Sequence, residues 1–333
     1  MYNVVVIGCG HMGEVHLGDI YTMENVCIYG VVDLDESRAK TCARKYNAKS
    51  WSTSYEQYLT DDNTDIIICA TYPSSHLEIL KKCDKHHKHL LCEKPITTTL
   101  SQADEFVSIV KNSSIKVQIG YILRYNETYN KVASMIADGA IGKPIIMRMT
   151  QNHHIMDRQK YAALLKDSSP VVDCGVHYFD VCRWFTGAEI TKVDGIATRM
   201  GDIAPENSFN YGLVTLSMSD GSIAYYEAGW TDTISAENVK EFVGPEGRIR
   251  ITERDHRING QEEGDLIEYY TYPEKEYKLI NVDCKRRPTG AQLAHLIDMI
   301  ENGVEANPTI DDVYKSFSTA MKADTLLKNK LYK

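Results

Sequence analysis

Val4-Val5-Val6-Ile7-Gly8-Cys9-Gly10-His11-Met12-Gly13 is the stretch on which the fold turns. Four β-branched apolar residues in a row suit a strand that is covered on both faces. The run behind them fits G-x-G-x-x-G and leads into a helical stretch. The first glycine permits a tight turn, the second lets the backbone approach a pyrophosphate, and the third lets the helix pack closely on its strand. The amides at that helix's start would then face the phosphates. Alone the motif is weak, and a plain strand-to-helix turn is its alternative. Asp33 strengthens it, because it follows the second strand, twenty residues beyond Gly13. A carboxylate there accepts hydrogen bonds from an adenosine ribose diol. It would also repel a 2′-phosphate, so NAD is expected rather than NADP, although Arg38 nearby could pair with such a phosphate.

Outward from this turn, short apolar runs at 4–7, 27–32, 65–70, 90–92 and 116–119 alternate with helical stretches at 14–21, 36–46, 75–85 and 101–111. That alternation implies a doubly wound parallel sheet. The pattern changes after a helix at 126–138. Runs at 145–150, 192–198, 211–217, 222–229, 239–243 and 248–251 follow one another as strands. Ser219-Asp220-Gly221 and Gly244-Pro245-Glu246-Gly247 read as hairpin turns whose glycines take positive φ. Helices at 171–185, 291–301 and 311–327 complete an α+β half. The expected division is a Rossmann domain over 1–121 and a second domain over 122–333 for substrate binding and oligomerisation, with the last helix free to pack back near the first.

Composition sets the outer bounds. The 333 residues are 43% hydrophobic and 25% charged, with a net charge of −9, as in an ordinary two-domain globular protein. The negative balance argues against nucleic acid and anionic membrane as partners. No apolar run reaches the roughly 20 residues of a membrane span, and the start of the chain lacks the features of a signal peptide. None of the nine cysteines forms a C-x-x-C pair, so buried free thiols in a reducing cytoplasm are expected.

Ala70-Thr71-Tyr72-Pro73-Ser74-Ser75-His76 follows one strand and Cys92-Glu93-Lys94-Pro95 the next. With the glycine motif and His16, with Gly120-Tyr121-Ile122-Leu123-Arg124-Tyr125, and with Asp173-Cys174-Gly175-Val176-His177-Tyr178-Phe179-Asp180, the chain resembles the glucose–fructose oxidoreductase/inositol dehydrogenase (Gfo/Idh/MocA) family. Gly244-Pro245-Glu246-Gly247 extends the likeness over nearly the whole chain. The resemblance implies an α/β protein: a Rossmann domain plus an α+β domain on a large, mostly antiparallel open sheet, used to form homodimers or homotetramers. It implies an NAD(P)-dependent dehydrogenase of sugars, inositols or similar polyols. Gly8, Gly10, His11, Met12, Gly13, Asp33, Thr71, Pro73, His76, Glu93 and Lys94 would hold the cofactor. Lys166-Asp167-Ser168-Ser169-Pro170 departs from the glycine-rich stretch many members carry there, which puts the substrate loop in question.

The residues support a chemistry of their own. Lys94 ends a strand at the ligand-binding edge of such a sheet, where an ammonium can stabilise a developing alkoxide; an exposed lysine paired with Glu93 is the alternative. Asp173 and His177 are four apart and share a helical stripe with Asp180 and Trp184, which read as structural. Spacing alone favours a capping aspartate and a core histidine. The family match makes Lys94, Asp173 and His177 one catalytic cluster across the domain cleft, with His177 or else Lys94 taking the alcohol proton. Tyr121, Arg124, His153 and His154 join Asp173 and His177 as substrate contacts, with Asp157 and Tyr161 as further polar lining. For Arg124 a salt bridge is the competing reading. The Lys85-His86-His87-Lys88-His89 run reads as a surface turn, and no metal is expected. Two other functions compete with the dehydrogenase: an NAD-dependent glycosidase and a non-catalytic dinucleotide-binding regulator.

Overall fold

A computed structural model describes residues 1–253 and 264–331, which fall into two compact units, 1–122 with 287–314 and 123–286 with 315 onward. The first begins with β1 (Tyr2–Ile7), α1 (His11–Ile20), β2 (Val26–Val32), α2 (Glu36–Lys45), β3 (Ser50–Ser52), α3 (Glu56–Leu59), β4 (Ile66–Cys69), α4 (His76–Lys85), β5 (His89–Cys92), α5 (Leu100–Asn112) and β6 (Val117–Ile119). Its strands are parallel, in the order β3-β2-β1-β4-β5-β6. This doubly wound order reverses beside β1 and leaves a crevice at the strand ends. Val4, Val6, Ile66, Ile68 and Leu91 are wholly buried in one apolar cluster, as continuous apolar strands require. Asp35 and Thr99 accept backbone N–H bonds at the starts of α2 and α5, so local capping agrees with topology. β3 and α3 have no counterpart in the sequence reading, being too short to show a period.

The second unit contains α6 (Glu127–Ala137), β7 (Ile146–His154), α7 (Arg158–Asp167), α8 (Pro170–Asp173), α9 (Gly175–Thr186), β8 (Ile190–Thr198), β9 (Tyr211–Met218), β10 (Ile223–Thr231), β11 (Lys240–Gly244), β12 (Gly247–Thr252), β13 (Asp265–Thr271) and β14 (Tyr277–Val282). The strands form one eight-stranded sheet, β14-β13-β12-β11-β7-β10-β9-β8. Among the described strands of this sheet only the β7–β10 pair is parallel. Gly221 takes positive φ in its hairpin, as expected. Gly244 and Gly247 do not, and a different constraint selects them. A Cβ on Gly244 would lie 2.0 Å from the Ile141 carbonyl oxygen, and one on Gly247 would lie 2.4 Å from that of Tyr270. Close backbone approach, rather than left-handed conformation, keeps them small.

The second domain expected over 122–333 is interrupted. α10 (Thr289–Asn302) and the first residues of α11 (Ile310–Leu331) belong to the first unit. Leu293, Leu296, Ile297 and Met299 pack into the cluster that holds Leu17 and Ile20 of α1. Asp19 secures the start of α10, accepting from the Thr289 hydroxyl and the Gly290 amide, both at 2.9 Å. A carboxylate at a helix N-terminus is favoured by the helix dipole as well. Among the described residues no helix is long and apolar enough to cross a membrane.

Candidate active site

The glycine turn in the first unit shows which of its positions serve the fold and which leave room for a ligand. A Cβ on Gly13 would lie 1.8 Å from the Gly8 carbonyl oxygen, and one on Gly8 would meet that of Ala70 at 2.6 Å. Gly8 also has φ of +93°, and its amide donates to Val32 at 2.8 Å. A Cβ on Gly10 would meet nothing within 4 Å. Gly8 and Gly13 therefore close the turn, and Gly10 borders open space at the start of α1, whose first amides have no side-chain cap. That is a cradle suited to a pyrophosphate, so the residues fit a dinucleotide.

Asp33 is more deeply engaged than a ribose ligand alone would be. Its carboxylate accepts from the Cys9 amide at 2.8 Å and the Asp35 amide at 2.9 Å, tying β2 to the glycine turn. Arg38 approaches it at 3.5 Å and is half-exposed, so a cation stands beside the group expected to exclude a 2′-phosphate. His11 is exposed, with the Arg287 guanidinium against its ring.

Two expected cofactor residues are braces beneath the loops. His76 is wholly buried, with Nδ1 2.9 Å from the Pro95 carbonyl oxygen and Nε2 3.2 Å from that of Thr71. Glu93 is buried against His16 at 2.8 Å. Gly120 leaves it room, since a Cβ there would lie 2.8 Å from the carboxylate. Thr71 reaches Ser75 at 2.7 Å, Pro73 starts a short 3-10 turn, and Lys94 is half-buried just after β5, joined to Pro95 by a cis peptide. Tyr121, expected to touch substrate, is buried in the first unit with its hydroxyl donating to the Val313 carbonyl. It belongs to the core.

In the second unit the expected helix over 171–185 is two helices, α8 ending at Asp173 and α9 beginning at Gly175. Cys174 between them keeps right-handed helical angles, so Asp173 and His177 stay one turn apart across the break. Both are half-buried. The Arg124 guanidinium is committed to Asp180, with Nε at 2.7 Å and Nη2 at 2.9 Å from its carboxylate, and it lies on the Trp184 ring. This bidentate pair matches the salt-bridge reading of Arg124, and the Trp184 ring covers the guanidinium.

His153 and His154 cannot serve one site, because successive residues of β7 face opposite sides of the sheet. His153 shares the side of the buried Met147 and Met149, stacks on Trp230 and lies 3.1 Å from the Tyr161 hydroxyl. His154 is exposed on the other side. Asp157 caps α7. Trp230 was missed: it is buried, its indole nitrogen has no hydrogen-bond partner among the described residues, and it pairs in register with His153. The sequence signal was its place at the end of an apolar strand. Lys240 was missed as well. Buried on β11, it donates to the Thr150 carbonyl at 3.0 Å and lies over the Tyr178 ring.

Residues 2–121 match the family model described as an oxidoreductase family with an NAD-binding Rossmann fold, and residues 129–250 match the GFO/IDH/MocA C-terminal domain. Scyllo-inositol 2-dehydrogenase (NAD(+)) of Bacillus subtilis is 25% identical over 313 residues, covering 92% of this chain and 88% of that protein. Myo-inositol 2-dehydrogenase of Thermotoga maritima is 23% identical over 246 residues, 73% of each chain. The crystal structure of myo-inositol 2-dehydrogenase from Lactobacillus plantarum superposes with a TM-score of 0.81 at 20% identity, covering 99% of this chain and 98% of that one. An oxidoreductase from Agrobacterium radiobacter, solved with NAD+, L-tartaric acid and magnesium, superposes with a TM-score of 0.81 at 19% identity over 99% and 97% of the two chains. With both family domains matched in order, and with a glycine turn built to cradle a pyrophosphate, the chain belongs to the Gfo/Idh/MocA family and is an NAD(P)-dependent oxidoreductase.

Proposed function

We propose that the protein oxidises a secondary hydroxyl of an inositol or similar cyclic polyol with NAD, the substrate class named for the relatives above. The observation that carries the cofactor half is the open space over Gly10 between two glycines fixed by backbone contacts. Bound NAD supplies the hydride acceptor. Lys94 donates a hydrogen bond to the reacting oxygen and favours its alkoxide character. His177 takes the hydroxyl proton in oxidation and returns it in reduction. Asp173 holds a neighbouring hydroxyl of the ring. His153, backed by Trp230 and Tyr161, offers a polar edge on an aromatic base that suits a polyol. The glycosidase and regulator readings are not favoured, since the relatives are dehydrogenases.

The open face of the second unit's sheet supports assembly of two or more copies. Ile146, Ile196, Ile223 and Leu279 are exposed, on the sheet face that also carries the Arg148–Glu241 pair. A cytoplasmic location fits the free thiols of this reading. The test is NADH formation on a panel of inositols, hexoses, amino sugars and sugar acids. Turnover on at least one inositol is expected. Aglycone release from aryl glycosides without net NADH would overturn the dehydrogenase reading.

A further inference from the structure

We infer that Cys69 and Cys92 form a reversible disulfide in response to peroxide and that this bond weakens NAD binding; the second clause rests on the cofactor reading above. No sequence spacing announces the pair, but the sheet does. Cys69 and Cys92 end neighbouring parallel strands, β4 and β5, and are register partners. Both are wholly buried. Neighbouring strands run about 4.7–4.9 Å apart, inside the Cα separation of about 4.4–6.8 Å that a disulfide spans. The two sulfurs and a His76 ring nitrogen lie within 4.8 Å of one another.

His76 makes this more than two adjacent thiols. Its two ring nitrogens face the carbonyl oxygens of Pro95 and Thr71. A carbonyl oxygen only accepts, so a ring nitrogen that carries hydrogen donates to one of them and holds the ring beside the two sulfurs. The Thr71 hydroxyl lies 3.2 Å from the Cys69 sulfur. Burial opposes ionisation of Cys69, but hydrogen bonding from Cys92, the charge of His76 and the Thr71 hydroxyl and amide outweigh it and hold the thiol below its usual range. Burial and the neighbouring Cys69 hold Cys92 well above the usual thiol range. One partner is thus a nucleophilic thiolate and the other a thiol that resolves it.

The chemistry balances with hydrogen peroxide as oxidant. The Cys69 thiolate attacks one peroxide oxygen, the O–O bond breaks, and the departing hydroxide takes up the proton that Cys69 gave up on ionising and becomes water. The sulfur of Cys92 then displaces the second oxygen from the Cys69 sulfenic acid, and its thiol proton leaves with that oxygen as water. Two thiols are oxidised and one peroxide is reduced to two waters. Closing the S–S bond moves the ends of β4 and β5 against the His76 ring, and one of its two carbonyl bonds is lost. Those bonds join the Thr71 loop to the segment after Lys94, both at the proposed cofactor edge. Losing one should lower NAD affinity about 3- to 10-fold. Peroxide is little larger than water and reaches such a thiolate through local opening.

The test treats the reduced full chain with hydrogen peroxide, digests it without reductant and maps the cysteines by mass spectrometry. A Cys69–Cys92 cross-link that dithiothreitol reverses is expected. Cys69→Ser should abolish it, and Cys92→Ser should leave a Cys69 sulfenic acid that dimedone traps. If Cys69→Ser does not fold, the Cys92→Ser arm decides. Thiols that remain alkylatable after peroxide, or a cross-link from Cys69 to the buried Cys83, overturn the assignment. So does zinc bound stoichiometrically by the reduced chain with protection of both cysteines. Calorimetry with NAD before oxidation, after it and after re-reduction reads the second clause. A cross-link with unchanged NAD affinity overturns that clause alone, and a reduced chain that binds no NAD overturns the cofactor reading while leaving the disulfide standing.

Discussion

The two units solve the problem of holding polar groups in different ways. In the first, the groups around the ligand edge are fixed by the main chain: Asp33 by two backbone amides, His76 by two backbone carbonyls, Gly8 and Gly13 by contacts with carbonyl oxygens. In the second, side chains fix side chains. Arg124 holds Asp180 and lies on Trp184, His153 stacks on Trp230 beside Tyr161, and Lys240 lies over Tyr178, itself stacked on Tyr226. Backbone-held sites depend on local turns and so repeat as short motifs. Side-chain networks depend on which strands become neighbours, and many sequences satisfy them.

The largest effect should come from separating the two units by function. His177→Ala is expected to lower turnover about 100- to 10,000-fold while NAD affinity stays within about twofold. Lys94→Ala, in the other unit, should lose turnover on the same scale. Steady-state rates on the best polyol, with calorimetry for NAD, would check both. Near-wild-type turnover in either variant removes that residue from the chemistry. Loss of NAD binding in His177→Ala would erase the division of labour itself.

Next in size is Arg124→Met, which leaves the Asp180 carboxylate buried without its guanidinium. Breaking such a pair costs about 3–5 kcal/mol, so chemical denaturation should show a large drop in stability. Arg124→Met with Asp180→Asn should recover much of it. A rise in KM with unchanged unfolding would restore the substrate role that the sequence suggested.

Legibility followed the same divide. β1, the glycine turn and Asp33 were readable because strand, turn and helix there are consecutive, and each residue type has a local reason. The elements of the first unit fell within a few residues of expectation for that cause, apart from β3 and α3. The break at Cys174 was invisible, since its backbone stays helical. The fate of Arg124 turned on where Asp180 came to rest, 56 positions along. β-strand alternation could have separated His153 from His154, because adjacent strand residues never share a face. The pairing of α10 with α1 spans some 270 positions and left no local trace.

Asp33→Ser sharpens the comparison from the backbone-held side. If Asp33 served only to repel a 2′-phosphate, its removal would help NADP and leave NAD affinity unchanged. Its bonds to Cys9 and Asp35 add a second role, shaping the turn that both cofactors use. A charge-assisted hydrogen bond contributes about 1.5–3 kcal/mol, so NAD affinity should fall about 10-fold or more, with a smaller gain for NADP. Calorimetry with each nucleotide reads the two terms. An NADP gain with NAD affinity unchanged would reduce Asp33 to a charge filter.

The smallest effect tests the side-chain network through pH. Burial lowers the Lys240 ammonium to about 8, with partial opposition from Glu253. Its carbonyl and ring contacts therefore hold a charge that the interior disfavours. In the unfolded chain a lysine titrates at about 10.4. Between these values the unfolded state binds more protons than the folded one, so the contribution of Lys240 to stability rises with pH. At pH 7 both states are charged and its full penalty applies. By pH 10 the folded side chain is neutral and most of the penalty is gone. The rise should be on the order of 1–2 kcal/mol, since interiors relax and respond with an effective dielectric of about 20. Other lysines act in the opposite sense: Lys45 and Lys82 are raised by hydrogen bonds to Glu14 and Glu56, and what they contribute is lost at higher pH. The informative quantity is therefore the difference between wild type and Lys240→Met in urea unfolding at pH 7, 8, 9 and 10. Lys240→Met should be the more stable at pH 7, and its advantage should shrink steadily toward pH 10. A difference that stays flat across that range would mean that Lys240 keeps an ordinary lysine's affinity for its proton, and that the network around Tyr178 accommodates the charge without penalty.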